Sequence, residues 1–179
     1  MILLIGCVLV EYGMEKMKLY EPFDFLTTEE CDEIIKYAEN LEFIDGVSFG
    51  KPGIRKNRVI WYNNSDSWQS WIDTFNIIEP VVEWIEPPQI AFYKPGEVYH
   101  WHIDSLPNRR THIRHFTLVC ELQSAPNSGL ELRDKQFKLQ KGQAIIFRSS
   151  DEHRATSPSS DERISLTIWA RAKNKDIVG

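Results

Sequence analysis

The sequence has few cysteines, no long apolar run and no excess of basic residues. Its three cysteines are too few, and odd in number, for a disulfide framework, so we expect a reducing compartment and a cytoplasmic protein. The apolar stretch Met1–Val10 is shorter than the about 20 residues that a membrane-spanning helix needs. The formal net charge of −5 argues against a large nucleic-acid-binding surface. These absences favour a small globular protein that binds neither membrane nor nucleic acid.

The N-terminal segment begins with a mostly apolar stretch. Met1–Val10 has no basic residue ahead of its apolar run and is followed by acidic Glu11, so it makes a poor signal peptide. We expect a buried or edge strand, or an upstream start codon with the real start at Met14 or Met17. A length of 179 residues is enough for one core and too short for two ordinary domains. We therefore predict an N-terminal segment at 1–20 and one domain at 21–179.

Two stretches near the front of the chain have helical periodicity. Thr27 and Glu30 form a capping-box pattern, in which each side chain satisfies a backbone amide of the first turn. One helical face then carries Cys31, Ile34, Ile35, Ala38 and Leu41. A second helix is predicted from about Asp66, with a kink or restart at Pro80 and an end at Pro87-Pro88. Its apolar stripe consists of Trp68, Trp71, Ile72, Phe75 and Ile78.

Most of the remaining chain is predicted to form short strands joined by turns. The predicted strands are Lys18–Phe25, Arg58–Tyr62, Gln89–Tyr93, Val98–Asp104, His112–Leu122, Leu130–Arg133, Phe137–Leu139, Gln143–Arg148, His153–Thr156 and Arg163–Ala170. Many short strands after N-terminal helices indicate a mainly β protein, a double-stranded β-helix of the jelly-roll form with the helices packed on one sheet.

The last predicted strand indicates where a ligand would bind. Its alternate residues Ile164, Leu166 and Ile168 form an apolar face, which the helices can cover. The opposite face, with Arg163, Ser165 and Thr167, must then point into the sandwich. A polar interior makes a poor core but a suitable pocket for a small polar ligand.

His102 and Asp104 form an H-x-D pattern in a predicted strand that follows a Lys-Pro-Gly turn. Residues i and i+2 of a strand point to the same face, so we expect both side chains to reach one ion. His153, arriving on a neighbouring strand, would complete a set of two histidines and one carboxylate. That set leaves one side of an octahedral metal open and is typical of non-haem Fe(II) oxygenases, whereas zinc usually has four ligands.

The residues around this pattern resemble the signature of a known family. Residues 93–104 have the form YxxGxxYxxHxD, and His153 is followed by Arg163 and then by Trp169. Together these spacings resemble the prolyl 4-hydroxylase branch of the Fe(II)/2-oxoglutarate-dependent dioxygenases, over roughly Glu21 to Arg171. The resemblance implies Fe(II), O2, 2-oxoglutarate as cosubstrate and ascorbate. It also implies hydroxylation of a prolyl residue in a peptide or protein, with succinate and CO2 as co-products.

The resemblance also implies roles for single residues. His102, Asp104 and His153 are the expected metal ligands and catalytic residues. Arg163 is expected to bind the distal carboxylate of 2-oxoglutarate through two parallel hydrogen bonds. Tyr93 is expected to donate its phenol to the cosubstrate, with help from Thr117. The expected substrate-side residues are Tyr99, Arg114 and Trp169.

Three positions add detail to this hypothesis. His100 shares the parity of His102 and is interpreted as a wall or rim residue. Glu121 stands where some relatives have a tyrosine, and its charge would repel 2-oxoglutarate unless it pairs with Arg163 or points away. The glycine-rich loop Asp45–Asn57 is either a lid over the substrate or an ordinary solvated hairpin.

Other functions remain open from the sequence. Within the same chemistry, the substrate could be a free amino acid or another small molecule. The nucleic-acid demethylase branch typically ends in RxNxTxR, which Ser165 and Trp169 break. A different class is a non-catalytic cupin-like module or a zinc site built on His100 and His102. Cupins usually add a glutamate a few residues later, and none occurs between Asp104 and Glu121.

Overall fold

The computed structural model describes residues 18–46, 53–78, 80, 82–105, 114–133 and 135–172. Met1–Val10 and the middle of the Asp45–Asn57 loop lie outside the described residues, so the predictions about a separate N-terminal segment and a lid stay predictions. No described helix is long and apolar enough to cross a membrane.

The described chain contains two helices and thirteen short strands. The helices are α1 (Thr28–Glu39) and α2 (Trp68–Ile78). The first seven strands are β1 (Phe23–Asp24), β2 (Ile44–Asp45), β3 (Arg55–Lys56), β4 (Arg58–Trp61), β5 (Val82–Ile85), β6 (Gln89–Tyr93) and β7 (Val98–His102). The other six are β8 (Phe116–Gln123), β9 (Gly129–Leu132), β10 (Lys135–Phe137), β11 (Gln143–Arg148), β12 (His153–Thr156) and β13 (Arg163–Ala172).

The strands form two antiparallel sheets. The larger has the order β1-β11-β8-β13-β6-β4-β2, with β5 also paired to β13, and the smaller has the order β10-β9-β12-β7-β3. Many neighbouring strands come from distant parts of the sequence, as in a double-stranded β-helix, whereas β9 and β10 are consecutive and form a hairpin. The predicted jelly-roll fold with helices on one sheet is confirmed.

Helix α1 begins as its capping box predicts. The Thr27 hydroxyl accepts from the amide of Glu30 at 3.1 Å, and the Glu30 carboxylate accepts from the amide of Thr27 at 2.7 Å. Three residues of the predicted stripe, Cys31, Ile34 and Ala38, are buried. Leu41 lies beyond the end of the helix and is 39% exposed, so the apolar face is shorter than the periodicity indicated.

The main core lies between the helices and the outer face of the larger sheet. Ile164, Leu166 and Ile168 of β13 pack there with Trp71 and Phe75 of α2. Full burial of one such side chain contributes about 1.5–3 kcal/mol to folding. The opposite residues of β13 point between the two sheets, where Arg163 and Ser165 are buried. The predicted assignment of the two faces of this strand is therefore confirmed.

The predicted extent of the second helix was wrong. We expected it to continue past Pro80 to Pro87-Pro88, but α2 ends at Ile78 and Val82–Ile85 forms β5. The Asn76 side chain bonds both the amide and the carbonyl of Val82, at 3.0 and 3.1 Å, and so fixes the chain reversal after the helix. Pro80 offers no amide for a continuing helix, and Ile85 pairs with Ala170 of β13 instead.

Several strand boundaries also differ from the predictions; among them, β7 ends at His102, so Asp104 lies outside the predicted strand Val98–Asp104. Strand β1 is limited to Phe23–Asp24 within the predicted Lys18–Phe25. Strand β8 begins at Phe116 within the predicted His112–Leu122. Strands β6, β11 and β12 have the predicted bounds.

Candidate active site

Two adjacent strands of the smaller sheet bring the H-x-D pattern to the distant histidine. His102 is the last residue of β7, and its partner across the ladder is His153, the first residue of β12. Asp104 follows β7, and its backbone amide donates to the carbonyl of Ser149 at 2.9 Å. That bond ties Asp104 to the end of β11, so its side chain returns toward the two histidines.

The three predicted ligand side chains converge. His102, Asp104 and His153 each offer one potential metal-ligand atom, and these three atoms lie within 4.8 Å of one another. His102 Nε2 is 3.6 Å from one carboxylate oxygen of Asp104, and His153 Nε2 is 3.4 Å from the other. All three side chains are at least nine-tenths buried.

Backbone carbonyls set the orientation of both imidazoles. His102 Nδ1 is 2.7 Å from the carbonyl oxygen of His100, and His153 Nδ1 is 3.0 Å from that of Asp151. A carbonyl only accepts, so in each neutral ring Nδ1 carries the proton and Nε2 carries the lone pair. Both lone pairs then point toward Asp104, which is the tautomer that a metal ligand requires.

Two side chains of the larger sheet hold Asp104. Thr117 Oγ1 and Trp169 Nε1 both donate to Oδ2 of Asp104, each at 2.8 Å. Thr117 is itself 2.9 Å from the hydroxyl of Ser149. These bonds fix the carboxylate plane and leave Oδ1 as the oxygen with the fewest competing donors.

The electrostatics of the cluster keep its carboxylate ionised. Burial raises the pKa of the Asp104 carboxyl, but His153 and His102 outweigh burial and hold it well below its usual value. Burial lowers the pKa of His102 below its usual value. Burial also works to lower the pKa of His153, but the charge of Asp104 outweighs it and that pKa is raised.

The donor set fits Fe(II) better than zinc. Two neutral imidazoles and one carboxylate on a single side of a site leave the other side open, as in non-haem Fe(II) oxygenases. A structural zinc site would need a fourth protein ligand, and among the described residues the cluster has three. The residues present therefore fit iron, with positions left for further ligands.

A polar cavity adjoins the three ligands between the two sheets. The larger sheet lines it with Tyr93, Arg163, Ser165 and Thr167. Tyr93 is 3% exposed, and its ring centroid is 5.5 Å from the guanidinium carbon of Arg163. The polar interior predicted from the last strand is therefore present beside the metal-ligating cluster.

Arg163, which lines this cavity, is bound by Glu121. Nε donates to the two carboxylate oxygens at 2.9 and 3.1 Å, and Nη2 donates to Oε2 at 2.7 Å. The two side chains are 1% and 3% exposed. Of the two possibilities for Glu121, pairing with Arg163 is the one observed. One edge of the guanidinium is thus already occupied by a carboxylate. The distal carboxylate of 2-oxoglutarate would have to bind the remaining N–H groups of Arg163 or displace Glu121, and the predicted role of Arg163 stays a prediction.

Comparison with known proteins adds the family. Residues 88–171, just under half of the chain, match the model of the 2OG-Fe(II) oxygenase superfamily, and that range contains all three ligand residues. Over these residues the chain is similar to members of this superfamily. The relationship expected from the resemblance is confirmed at that level.

Two curated proteins similar to this chain are PKHD-type hydroxylases. The one from Teredinibacter turnerae is 29% identical over 105 residues, which cover 52% of this chain and 46% of the relative. The one from Shewanella frigidimarina is 27% identical with the same coverage. The matched region spans about half the length of these relatives.

Several solved structures with the same fold are named as prolyl hydroxylases, and another is named as an oxidoreductase of the 2OG-Fe(II) oxygenase family from Burkholderia pseudomallei. The viral collagen prolyl hydroxylase of Paramecium Bursaria Chlorella virus-1 has a TM-score of 0.67 at 24% identity, with 86% of this chain and 96% of that chain covered. A Pseudomonas putida prolyl-4-hydroxylase has a TM-score of 0.66 at 19% identity, with 86% and 92% covered. At these identities the likeness shows that this chain shares their fold.

The structure also places the other predicted site residues. The Tyr99 ring stacks on His102, with centroids 3.4 Å apart. Arg114 is bound by Glu86 at 2.9 and 2.7 Å and lies 3.8 Å over the Trp169 ring. The His100 side chain is exposed. Substrate contacts of Tyr99, Arg114 and Trp169, and cosubstrate contacts of Tyr93 and Thr117, stay predictions.

Sequence reasoning missed Arg55 and Gln89, which line the same cavity. Arg55 Nη2 donates to the Gln89 side chain at 2.5 Å, Nε donates to Asn57 at 2.7 Å, and the guanidinium lies 4.5 Å over the Tyr99 ring. Within the described chain its hydrogen-bond partners are neutral amides. Arg55 lies in the glycine-rich stretch Asp45–Asn57, and no periodicity in the sequence indicates which way its side chain points.

Proposed function

We propose that this protein is an Fe(II)- and 2-oxoglutarate-dependent dioxygenase that hydroxylates a prolyl residue of a peptide or protein, with succinate and CO2 as co-products. The observation that carries the proposal is the convergence of His102, Asp104 and His153, with both Nε2 atoms directed at the carboxylate. The cavity beside them provides space next to the open side of the metal.

The chain's own residues prepare the site before any ligand arrives. Asp104 is held by Thr117 and Trp169, and both imidazoles are held by backbone carbonyls, so the ligands need little reorganisation to bind iron. Iron bound there with a 2-oxo acid would supply the activation of dioxygen that oxidation of an unactivated C–H bond requires.

The walls of the cavity restrict water around the reacting centre. Val119, Leu130 and Ala155 line it with apolar groups, and all three are buried. Tyr99 covers one face of His102. A largely dry site strengthens the interactions of charged groups with the metal and protects a reactive oxidant from side reactions.

The prolyl assignment rests on relatives. Structures that share the fold include a prolyl hydroxylase from Trichoplax adhaerens in complex with a peptide fragment of the hypoxia inducible factor oxygen degradation domain, with a TM-score of 0.64 at 17% identity. That protein is described with a peptide bound, and two other neighbours are named as prolyl hydroxylases. These names support a prolyl peptide as the substrate class.

The test is succinate production from 2-oxoglutarate with Fe(II) and ascorbate, with and without proline-rich peptides. We expect a peptide to stimulate turnover and to gain the mass of one oxygen on proline. Slow turnover that no proline peptide stimulates would keep the iron chemistry and reject the prolyl assignment. No turnover by protein that binds metal would support a non-catalytic binding module.

A free amino acid is the second candidate substrate, and Arg55 is the observation that favours it. Its guanidinium lies 4.5 Å over the ring of Tyr99, a predicted substrate-side residue, and its hydrogen-bond partners in the described chain are amides, so we infer that its charge serves a substrate carboxylate and not the 2-oxo acid. A prolyl residue inside a peptide has no free carboxylate, whereas an amino acid does. Hydroxylation of free proline with no stimulation by peptides would favour this candidate.

A further inference from the structure

Arg163 lines the cavity beside the three ligands, and its ion-pair partner Glu121 lines a neighbouring pocket on the other side of the pair. Both oxygens of Glu121 accept from Arg163, which is the pattern of an ionised carboxylate. Glu121 lies on β8 and Arg163 on the neighbouring β13, and both side chains are almost fully buried. The pair is therefore fixed by the fold and has no net charge.

We propose that Glu121 determines cosubstrate specificity: it neutralises Arg163, so the cavity favours a second carboxylate on a 2-oxo acid only weakly. This inference rests on the proposed function, because it concerns the 2-oxo acid that would bind beside iron. A 2-oxo acid with an uncharged distal end should then bind about as well as 2-oxoglutarate.

Hydrogen-bond capacity supports the proposal. A guanidinium binds a carboxylate best through two parallel N–H groups on one edge. Glu121 occupies the Nε–Nη2 edge of Arg163. A second carboxylate must use the remaining Nη1 side or displace Glu121. In either case it approaches an arginine whose charge is already compensated.

Electrostatics supports it independently. The distal carboxylate of 2-oxoglutarate would share one guanidinium with the Glu121 carboxylate, and two like charges near one another repel more strongly where water is scarce. Burial already raises the pKa of Glu121, against the effect of Arg163. A neutral distal end avoids this repulsion.

The experiment compares two ligands that differ at one end. 2-Oxoglutarate and 2-oxopentanoate have the same five-carbon chain, with a carboxylate or a methyl group at the distal position. Each is titrated by calorimetry into Mn(II)-loaded full-length protein with oxygen excluded, so binding is measured without turnover. In the wild type we expect the two dissociation constants to agree within about tenfold.

The variant Glu121→Gln keeps the size of the side chain and removes its charge. Arg163 then regains a net positive charge, so the preference for 2-oxoglutarate over 2-oxopentanoate should rise about tenfold or more. Glu131→Gln is the matched control, because Glu131 pairs with Arg154 in the smaller sheet and its loss should leave the preference unchanged. Glu121→Met provides a second uncharged variant if Glu121→Gln does not fold.

The outcomes separate the two claims. If neither 2-oxo acid binds to the metal-loaded wild type, the proposed function fails and this inference fails with it. If both bind and the wild type prefers 2-oxoglutarate more than tenfold, the proposed function stands and the inference is overturned. A preference within tenfold that rises in the Glu121 variants, and does not rise in Glu131→Gln, supports it.

Discussion

At the scale of single residues, Trp169 supports the metal site without being one of its ligands. Its indole N–H donates to Asp104, and its ring lies under the guanidinium of Arg114. Thr117 makes the second bond to the same oxygen. Groups that orient a ligand typically change metal affinity by 10–100-fold when they are removed.

We therefore expect Trp169→Phe to weaken Mn(II) binding about tenfold or more. Phenylalanine keeps an aromatic ring near Arg114 but cannot donate to Asp104. The measurement is a metal titration by calorimetry, with thermal unfolding as a check on the fold. Trp84→Phe is the matched control, because Trp84 is 44% exposed on β5. Unchanged metal affinity in a folded Trp169→Phe protein would contradict this role.

The ligand residues could be predicted because their signal is local or shared with a family. His102 and Asp104 have the spacing of the H-x-D pattern, although Asp104 lies just beyond the end of β7, where its amide is held by the Ser149 carbonyl; His153 has a motif position. The pairing of Glu121 with Arg163 was one of two options left open, since side-chain direction in the cavity depends on neighbouring strands. Arg55 could not be found, because its direction is set by contacts with Gln89 and Asn57.

At the scale of elements, Glu86 joins three parts of the larger sheet. It follows β5, bonds Arg171 of β13 at 2.9 Å, and binds Arg114 ahead of β8. Its backbone amide also donates to the carbonyl of Trp169 at 2.9 Å. Burial raises the pKa of the Glu86 carboxyl, but the bonds and charges of Arg114 and Arg171 outweigh it, so the pKa lies below its usual value.

A carboxylate with a lowered pKa in the folded state stabilises the fold above the pKa of the unfolded state, and this stabilisation is lost as the pH falls through the folded value. We therefore expect Glu86→Gln to lower the free energy of unfolding by about 2 kcal/mol at pH 7. The loss should shrink when the pH falls below the usual value of 4.5.

Urea unfolding of wild type and Glu86→Gln at neutral and acidic pH measures this difference. Glu39→Gln is the control, because Glu39 is exposed at the end of α1. A loss of equal size at both pH values would show that the carboxylate charge is not the source of the stabilisation.

The same region shows why β5 escaped prediction. Val82–Ile85 is short, follows a helix and a proline, and has no turn of its own to mark it as a strand. It becomes a strand because β13 extends past β6 and offers a free edge, where Ile85 pairs with Ala170. In contrast, β11 and β12 have turn residues at both ends and could be predicted with their bounds.

At the scale of the whole molecule, the fold has one apolar and one polar interior. The helices cover the outer face of the larger sheet, and the space between the sheets contains the metal-ligating cluster and the Arg163 pair. The alternation along β13 was enough to predict this division. The order of the strands could not be obtained from alternation, because it depends on contacts between distant parts of the chain.

The most direct test of the account is anaerobic titration of the protein with Fe(II). We expect one ion per chain in the wild type, and a loss of at least about 100-fold in affinity in His102→Gln and in His153→Gln, because each removes one of three ligands. His100→Gln is the matched control, since the His100 side chain is exposed and its carbonyl still accepts from His102. Binding to His153→Gln with wild-type affinity, or loss of binding in His100→Gln, would contradict a site formed by His102, Asp104 and His153.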